Sequence, residues 1–154
     1  MPGQSAIDAA KALLDICSRK KLTLATAESC TGGLVAATIS EIAGSSAVLD
    51  RGFVTYSNEA KQQMLGVTPA TIDVYGAVST ECAEEMAKGA LAHASVDLAV
   101  RLQALRGQPA LCPASQSVWS ISARPPATAA LSFIIGNMAT LAGPKCARNP
   151  CLRH

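Results

Sequence analysis

The sequence has few aromatic residues, few charges and no long apolar run, and these shortages limit the class of protein it can encode. Aromatic residues make up 3% of the 154 residues and charged residues 16%. No run of about 18 uncharged apolar residues occurs, which argues against a transmembrane helix. Asp8, Lys11 and Asp15 interrupt the apolar positions near the start, a helical pattern that differs from a signal peptide. We therefore expect a soluble, cytoplasmic protein whose length suits one ordinary domain.

Acidic residues are missing from the last third of the chain. Residues 1–100 hold 7 Lys+Arg and 11 Asp+Glu, whereas residues 101–154 hold 6 Lys+Arg and no acid. Six of the eight prolines also lie after residue 100. The chain therefore reads as two sequences of different character joined near Val100, with a domain in 1–100 and a tail in 101–154.

Cysteine patterns give no clear metal or disulfide framework. The sequence has six cysteines, but nothing in it indicates secretion. In the sequence, Cys146 and Cys151 shortly precede His154. A second pair of cysteines or histidines at the spacing of a zinc site is missing. We interpret the cysteines as incidental reduced thiols.

Hydrophobic periodicity predicts alternating helices and strands in the first hundred residues. Ser57 and Ser79 are predicted helix N-caps, and Gly66 with Pro69 is predicted to stop the helix that Ser57 begins. The predicted helices cover 5–19, 34–39, 58–65 and a stretch after Ser79, and the predicted strands cover 22–27, 48–56 and 96–100. This alternation predicts an α/β layered fold.

Two small-residue loops and one lysine are the candidates for chemistry. The 28–33 loop joins a strand to a helix, so its glycines allow close ligand approach and the helix-start amides can hold an anion. The 44–46 turn adds two serines, although helix or turn capping is the ordinary explanation for serines in such a turn. Lys61 is a better base for a serine than His93, provided that burial or nearby positive charge lowers its pKa. Cys30 is a rival nucleophile without an evident base.

These residues form an ordered series that resembles the CinA C-terminal-domain family, which includes the PncC-type nicotinamide mononucleotide amidases. The resemblance covers roughly residues 5–100. It rests on the segments 27–33 (AESCTGG), 44–46 (GSS), 56–61 (YSNEAK), 65–67 (LGV) and 76–79 (GAVS).

The resemblance implies a three-layer α/β/α sandwich that hydrolyses nicotinamide mononucleotide to nicotinate mononucleotide and ammonia. It implies a Ser–Lys mechanism without metal or cofactor, a small nucleotide substrate, no nucleic-acid or membrane partner, and a homo-oligomer. The alternative is a non-catalytic nucleotide-binding module of the competence/damage-inducible CinA type. The implied dyad is Ser46 and Lys61, with Ser29 as the alternative nucleophile, and the implied substrate-binding residues are Ser29, Thr31, Gly32, Gly33 and Tyr56.

The chain departs from the family pattern after Val100. The family normally continues with Thr-Gly-Ile-Ala-Gly-Pro and then a strand resembling Pro-Val-Gly-Leu-Val, and neither segment is present. Codons read from their third base permit the first motif across 102–109 and the second across 115–123. We interpret 101–154 as a frameshifted tail that lacks a stable native fold, removes a strand from the sheet and weakens or abolishes activity.

A diverged tail with its own role is the alternative to the frameshift. A basic segment can bind nucleic acid through phosphates. The six charges of 101–154 are scattered among apolar residues and form no stripe, so we favour the out-of-frame interpretation.

Overall fold

Helices and strands alternate from residue 4 to residue 65, as the periodicity predicts, and two further helices and two strands follow. The structure is a computed structural model that describes residues 4–103 and 118–125. The helices are α1 (Gln4–Lys20), α2 (Leu34–Ser40), α3 (Asn58–Leu65), α4 (Pro69–Tyr75) and α5 (Thr80–His93), with a 3₁₀ helix at Ser45–Ala47, and the strands are β1 (Leu24–Glu28), β2 (Leu49–Val54), β3 (Leu98–Gln103) and β4 (Val118–Ala123).

One mixed sheet holds the four strands in the order β2-β1-β3-β4. The central strand β1 pairs in parallel with both β2 and β3, and β4 runs antiparallel to β3. Because β1, β2 and β3 point the same way, their last residues lie along one side of the sheet, which we call the carboxyl edge. Their first residues lie along the opposite side, the amino edge.

Helices pack on both faces of this sheet, so the predicted α/β/α layering is confirmed. On one face, the apolar sides of α1 and α2 bury Leu24 of β1 and Leu98 and Val100 of β3. On the other face, α3 and α5 pack against Ala27 of β1 and Ala99 of β3. Alternate residues of each strand thus serve opposite cores, as the two-residue period of a strand requires.

The predicted cap residues give the correct start and end of the helix that follows β2. The next helix was not predicted. The Ser57 side chain accepts from the Ala60 amide at the start of α3, and Gly66 ends it with a positive φ of 67°. Pro69 was expected only to stop this helix. It instead opens α4 behind the N-cap Thr68, because proline suits the first turn of a helix, where its missing amide is not needed.

The strand β4 corrects one part of the tail interpretation. We expected the sheet to lose the strand beyond β3, but Val118–Ala123 pairs with β3 from Leu98↔Ala123 to Gln103↔Val118. The segment is rich in residues typical of strands, and an antiparallel ladder is made from backbone groups whatever the side chains are. The other expectations for the tail fall on 104–117 and 126–154, which lie outside the described residues.

Gly89 sets how closely α5 approaches the end of α3. A Cβ atom at Gly89 would lie 1.9 Å from the carbonyl oxygen of Leu65 and 2.7 Å from its carbonyl carbon. These are backbone atoms, so the two helices would have to separate to make room for it.

We predict that Gly89→Ala lowers the free energy of unfolding by roughly 1–3 kcal/mol, the usual cost of overpacking a core. The loss comes despite the gain of about 1 kcal/mol in helix propensity. Urea unfolding measures it, with Lys88→Ala as the control at the neighbouring exposed position. A Gly89→Ala protein as stable as the wild type would contradict the close approach of the two helices.

Candidate functional site

A buried carboxylate organises the loop that follows β1. Glu28, the last residue of β1, has no solvent-exposed surface. Its carboxylate accepts five hydrogen bonds of 2.8–3.1 Å, two from hydroxyl groups and three from backbone amides. The donors are the hydroxyls of Thr26 and Thr31 and the amides of Gly33, Val35 and Ala36.

These bonds change the expectation that the start of α2 holds an anion from the substrate. The amides of Gly33, Val35 and Ala36 already donate to Glu28. The Gly32 amide donates to the Ser29 carbonyl and the Leu34 amide to the Thr31 carbonyl. The helix start therefore holds the protein's own carboxylate, and these amides are not available to a phosphate or an oxyanion.

Lys61 lies in the first turn of α3 and points back toward the end of β2. The residue is 2% exposed. Its Nζ donates to the backbone carbonyls of Thr55 at 2.9 Å, Tyr56 at 3.2 Å and Ser57 at 3.4 Å. Among the described residues, none of its hydrogen bonds or ion pairs involves a carboxylate. Within the part of the chain that the structure describes, the amine is thus held by neutral carbonyls alone.

This environment shifts the proton equilibrium of the amine. Burial lowers the pKa of Lys61 below its ordinary value of 10.5, because the charged form loses its hydration. The thiols of Cys82 and Cys30 oppose this shift in the pKa when they are ionised. A lowered pKa increases the fraction of neutral amine, which is the form that can accept a proton.

The loop after β1 and the turn after β2 meet at the carboxyl edge. The Thr55 amide donates to the Glu28 carbonyl at 2.8 Å, which continues the parallel pairing of Glu28 with Val54. A Cβ atom on Gly33 would lie 3.4 Å from the Val54 side chain. The structure therefore brings two groups of predicted residues to one edge. The first group is Ser29, Thr31, Gly32 and Gly33, and the second is Tyr56 and Lys61.

Ser46 lies at the opposite edge of the sheet. It belongs to the 3₁₀ helix Ser45–Ala47 that precedes β2, and the next residue, Val48, accepts a hydrogen bond from the first residue of β1. The six residues of β2 separate the two edges by about 17 Å, at about 3.3 Å per residue. The expected convergence of Ser46 with Lys61 is therefore not formed within one chain.

Two thiols lie on the Lys61 side of the site. Cys30 is exposed in the loop, and Cys82 is buried at the start of α5. Burial raises the pKa of Cys82, which keeps this thiol protonated and apolar in character. His93, the weaker base candidate, ends α5 at the amino edge, where its carbonyl accepts from Arg51.

Sequence reasoning missed the role of Glu28 and the carbonyls around Lys61. The sequence pattern places Glu28 in the loop and predicts no separate role for it. The signal available was an acidic residue at the end of an apolar strand, five residues before the glycine that precedes α2, since carboxylates favour helix starts. Backbone carbonyls leave no such signal, because every residue carries one.

Within 4–103 and 118–125, no group of three or more His, Cys, Asp and Glu side chains could hold a metal ion. No helix in the same residues is long and apolar enough to cross a membrane.

Comparison with known sequences identifies a shared family. Residues 6–107 match the profile described as the CinA C-terminal domain. Nicotinamide-nucleotide amidohydrolase PncC of Escherichia coli K12 is 58% identical over 85 residues, which are 55% of this chain and 52% of that protein. The PncC of Enterobacter agglomerans is 57% identical over 81 residues, which are 53% of this chain and 49% of that protein. The chain thus spans about half the length of these relatives.

Solved structures share the fold. The competence/damage inducible protein CihA of Agrobacterium tumefaciens superposes with a TM-score of 0.70 at 42% identity, covering 80% of this chain and 76% of that one. The competence damage-inducible protein A (ComA) of Klebsiella pneumoniae has a TM-score of 0.65 at 28% identity, covering 94% of this chain and 99% of that one.

The environment of Lys61 predicts a measurable titration. We expect the Lys61 amine to titrate with a midpoint below 10.5, because burial disfavours its charged form. NMR of the lysine Cε and Nζ shifts measures the midpoint, with Lys61→Met used to assign the signal. A midpoint at or above 10.5 would show that the three carbonyls outweigh the burial.

Proposed function

This chain belongs to the CinA C-terminal domain family, and from that premise we propose that it hydrolyses nicotinamide mononucleotide to nicotinate mononucleotide and ammonia. The names of its PncC relatives support an amidohydrolase acting on a nicotinamide nucleotide. The single observation in this chain that carries the proposal is the buried Lys61 amine. Its pKa is lowered and it lies beside a loop rich in hydroxyl groups.

The proposed chemistry needs a serine and a lysine. The neutral Lys61 amine accepts the proton of a serine hydroxyl while the oxygen attacks the carboxamide carbon. Lys61 then passes that proton to the departing nitrogen, and the carbon–nitrogen bond breaks to release ammonia. Water hydrolyses the resulting ester with Lys61 again acting as the base, which restores the serine and frees the carboxylate product. The side chains of Ser29, Thr31 and Tyr56 are proposed to line the nucleotide site. Gly32 and Gly33 shape its wall, since their amides already donate within the chain.

The two candidate nucleophiles make different demands on the assembly. Ser29 follows Glu28 at the carboxyl edge, so it shares that edge with Lys61 of the same chain. Ser46 lies at the amino edge and reaches a Lys61 amine only when a second copy of the chain supplies it. One chain alone therefore favours Ser29, whereas the homo-oligomer that we propose gives Ser46 a route to the site.

Our proposal places the protein in the cytoplasm, where pyridine nucleotides are recycled. The competing function is a nucleotide-binding module without turnover, and the observation in its favour is that other relatives are named only putative competence-damage inducible protein and CinA-like protein. We further propose that 101–154 is an out-of-frame tail that reduces activity.

We predict that Lys61→Met lowers the rate of ammonia release from nicotinamide mononucleotide by roughly 100- to 10,000-fold, the usual contribution of a general base. Wild-type turnover should rise with pH and level off above the pKa of Lys61, since only the neutral amine accepts the proton. Burial lowers this pKa, so the midpoint of the rise should fall below 10.5. The control is Lys88→Met, a lysine on the exposed face of α5. Nucleotide binding without turnover in the wild type would favour the binding module.

Alanine variants of the two serines, alone and mixed, identify the nucleophile. If Ser29 attacks, Ser29→Ala is inactive and Ser46→Ala keeps most of its turnover. If Ser46 attacks from a second copy, a mixture of Ser46→Ala and Lys61→Ala chains recovers about a quarter of the wild-type rate. Half of the dimers are then mixed, and each holds one complete site. Ser45→Ala is the matched control in the same 3₁₀ helix. Full activity in both Ser29→Ala and Ser46→Ala would eliminate the serine mechanism.

A further inference from the structure

We propose that Glu28 is a positioning residue, which fixes the Ser29–Gly33 loop relative to Lys61 through its buried carboxylate. This inference rests on the proposed amidase function and adds a residue to it. Glu28 is not placed in contact with the substrate, because its carboxylate is fully buried and its hydrogen-bonding positions are filled from within the chain.

The first argument is the cost of burying this charge. Among the described residues, no Lys or Arg forms an ion pair with Glu28. A buried carboxylate without a cation is tolerated only when hydrogen bonds replace its hydration. Three amides and two hydroxyls do so here, and the amides belong to the positive end of α2. A neutral side chain would suffice if filling the space were the only requirement.

The second argument is that the donors require a carboxylate and not an amide. One oxygen accepts from Thr26 and the Ala36 amide, and the other accepts from Thr31 and the amides of Gly33 and Val35. A glutamine could direct only one oxygen, so its NH₂ group would face at least one backbone N–H. Hydroxyl groups can reverse their role, but backbone amides cannot.

The third argument links Glu28 to the amine. The Glu28 carbonyl accepts from the Thr55 amide at 2.8 Å and from the Thr55 hydroxyl at 3.3 Å. The Thr55 carbonyl in turn accepts from Lys61 Nζ at 2.9 Å. The side chain of Glu28 thus holds the hydroxyl-bearing loop, while its backbone holds the strand end that carries the amine. Displacing the loop by about 1 Å would cost roughly 100-fold in rate.

Acetate rescue of Glu28→Ala tests the proposal in the chain of 154 residues. The substitution removes one CH₂ and the carboxylate, which together have the size of acetate. We expect kcat for ammonia release to fall roughly 100-fold with a smaller change in KM, and sodium acetate to restore at least part of kcat. Sodium chloride at equal ionic strength should restore none.

Hydrogen exchange provides a readout that does not depend on activity. The amides of Gly33, Val35 and Ala36 should exchange faster in Glu28→Ala and slow again with acetate. The matched control is Glu85→Ala, because Glu85 accepts from the Thr68 amide at 2.8 Å and from the Thr71 hydroxyl at 2.6 Å around the start of α4. It should lose stability without an acetate-dependent change in turnover.

Each outcome decides one proposal. Acetate that restores protection but not kcat would overturn the positioning role and leave a structural one. A folded Glu28→Ala with wild-type kcat would overturn it as well. If Glu28→Ala does not fold, Glu28→Gln takes its place, and an unchanged kcat overturns the proposal. A wild type that releases no ammonia refutes the amidase function, and the positioning role with it, while the exchange data report separately whether Glu28 holds the loop.

Discussion

The carboxylate of Glu28 is the interaction on which the geometry of the carboxyl edge depends. A carboxylate buried at the end of an inner strand, away from water, is tolerated only if hydrogen-bond donors replace its hydration. Those donors come from the same strand, from the next loop and from the first residues of α2. The strand, the loop and the helix start are therefore joined at one point.

Two opposing effects act on the charged form of the Lys61 amine. Burial disfavours its charged form, whereas the carbonyls of Thr55, Tyr56 and Ser57 favour an ammonium that can donate to all three. Neutralising the amine leaves it two N–H donors, so one carbonyl loses its bond. The longest contact, to the Ser57 carbonyl at 3.4 Å, is the one most easily given up. The carbonyls thus keep the amine in place in either protonation state.

The sequence predicted most elements because their signals are local. Ser57, Gly66 and Ser79 act within one turn of the helices that they begin or end, so their chemistry can be read without the fold. The same local reading failed at Pro69, because proline both stops one helix and starts another.

The site was only partly predictable, because the motifs do not state which edge of the sheet they occupy. Ser29 follows a strand and Ser46 precedes one, and in a parallel sheet this difference places them at opposite edges. The convergence of Lys61 with the 28–33 loop followed from both segments coming after strands. The five donors to Glu28 could not be predicted, since they depend on the path of the loop around Gly32 and Gly33, both at positive φ.

The position of β4 has a consequence for how the protein tolerates change. This strand joins through a backbone ladder at the far side of β3, so two strands separate it from β2. A change in β4 can reach the residues around Lys61 through β3 and β1, and also through α5, which contacts both β4 and the helix α3 that carries Lys61. The helix α5 therefore couples the far side of the sheet to the helix that carries Lys61, so a substitution in β4 and the chemistry at the carboxyl edge are not independent of each other.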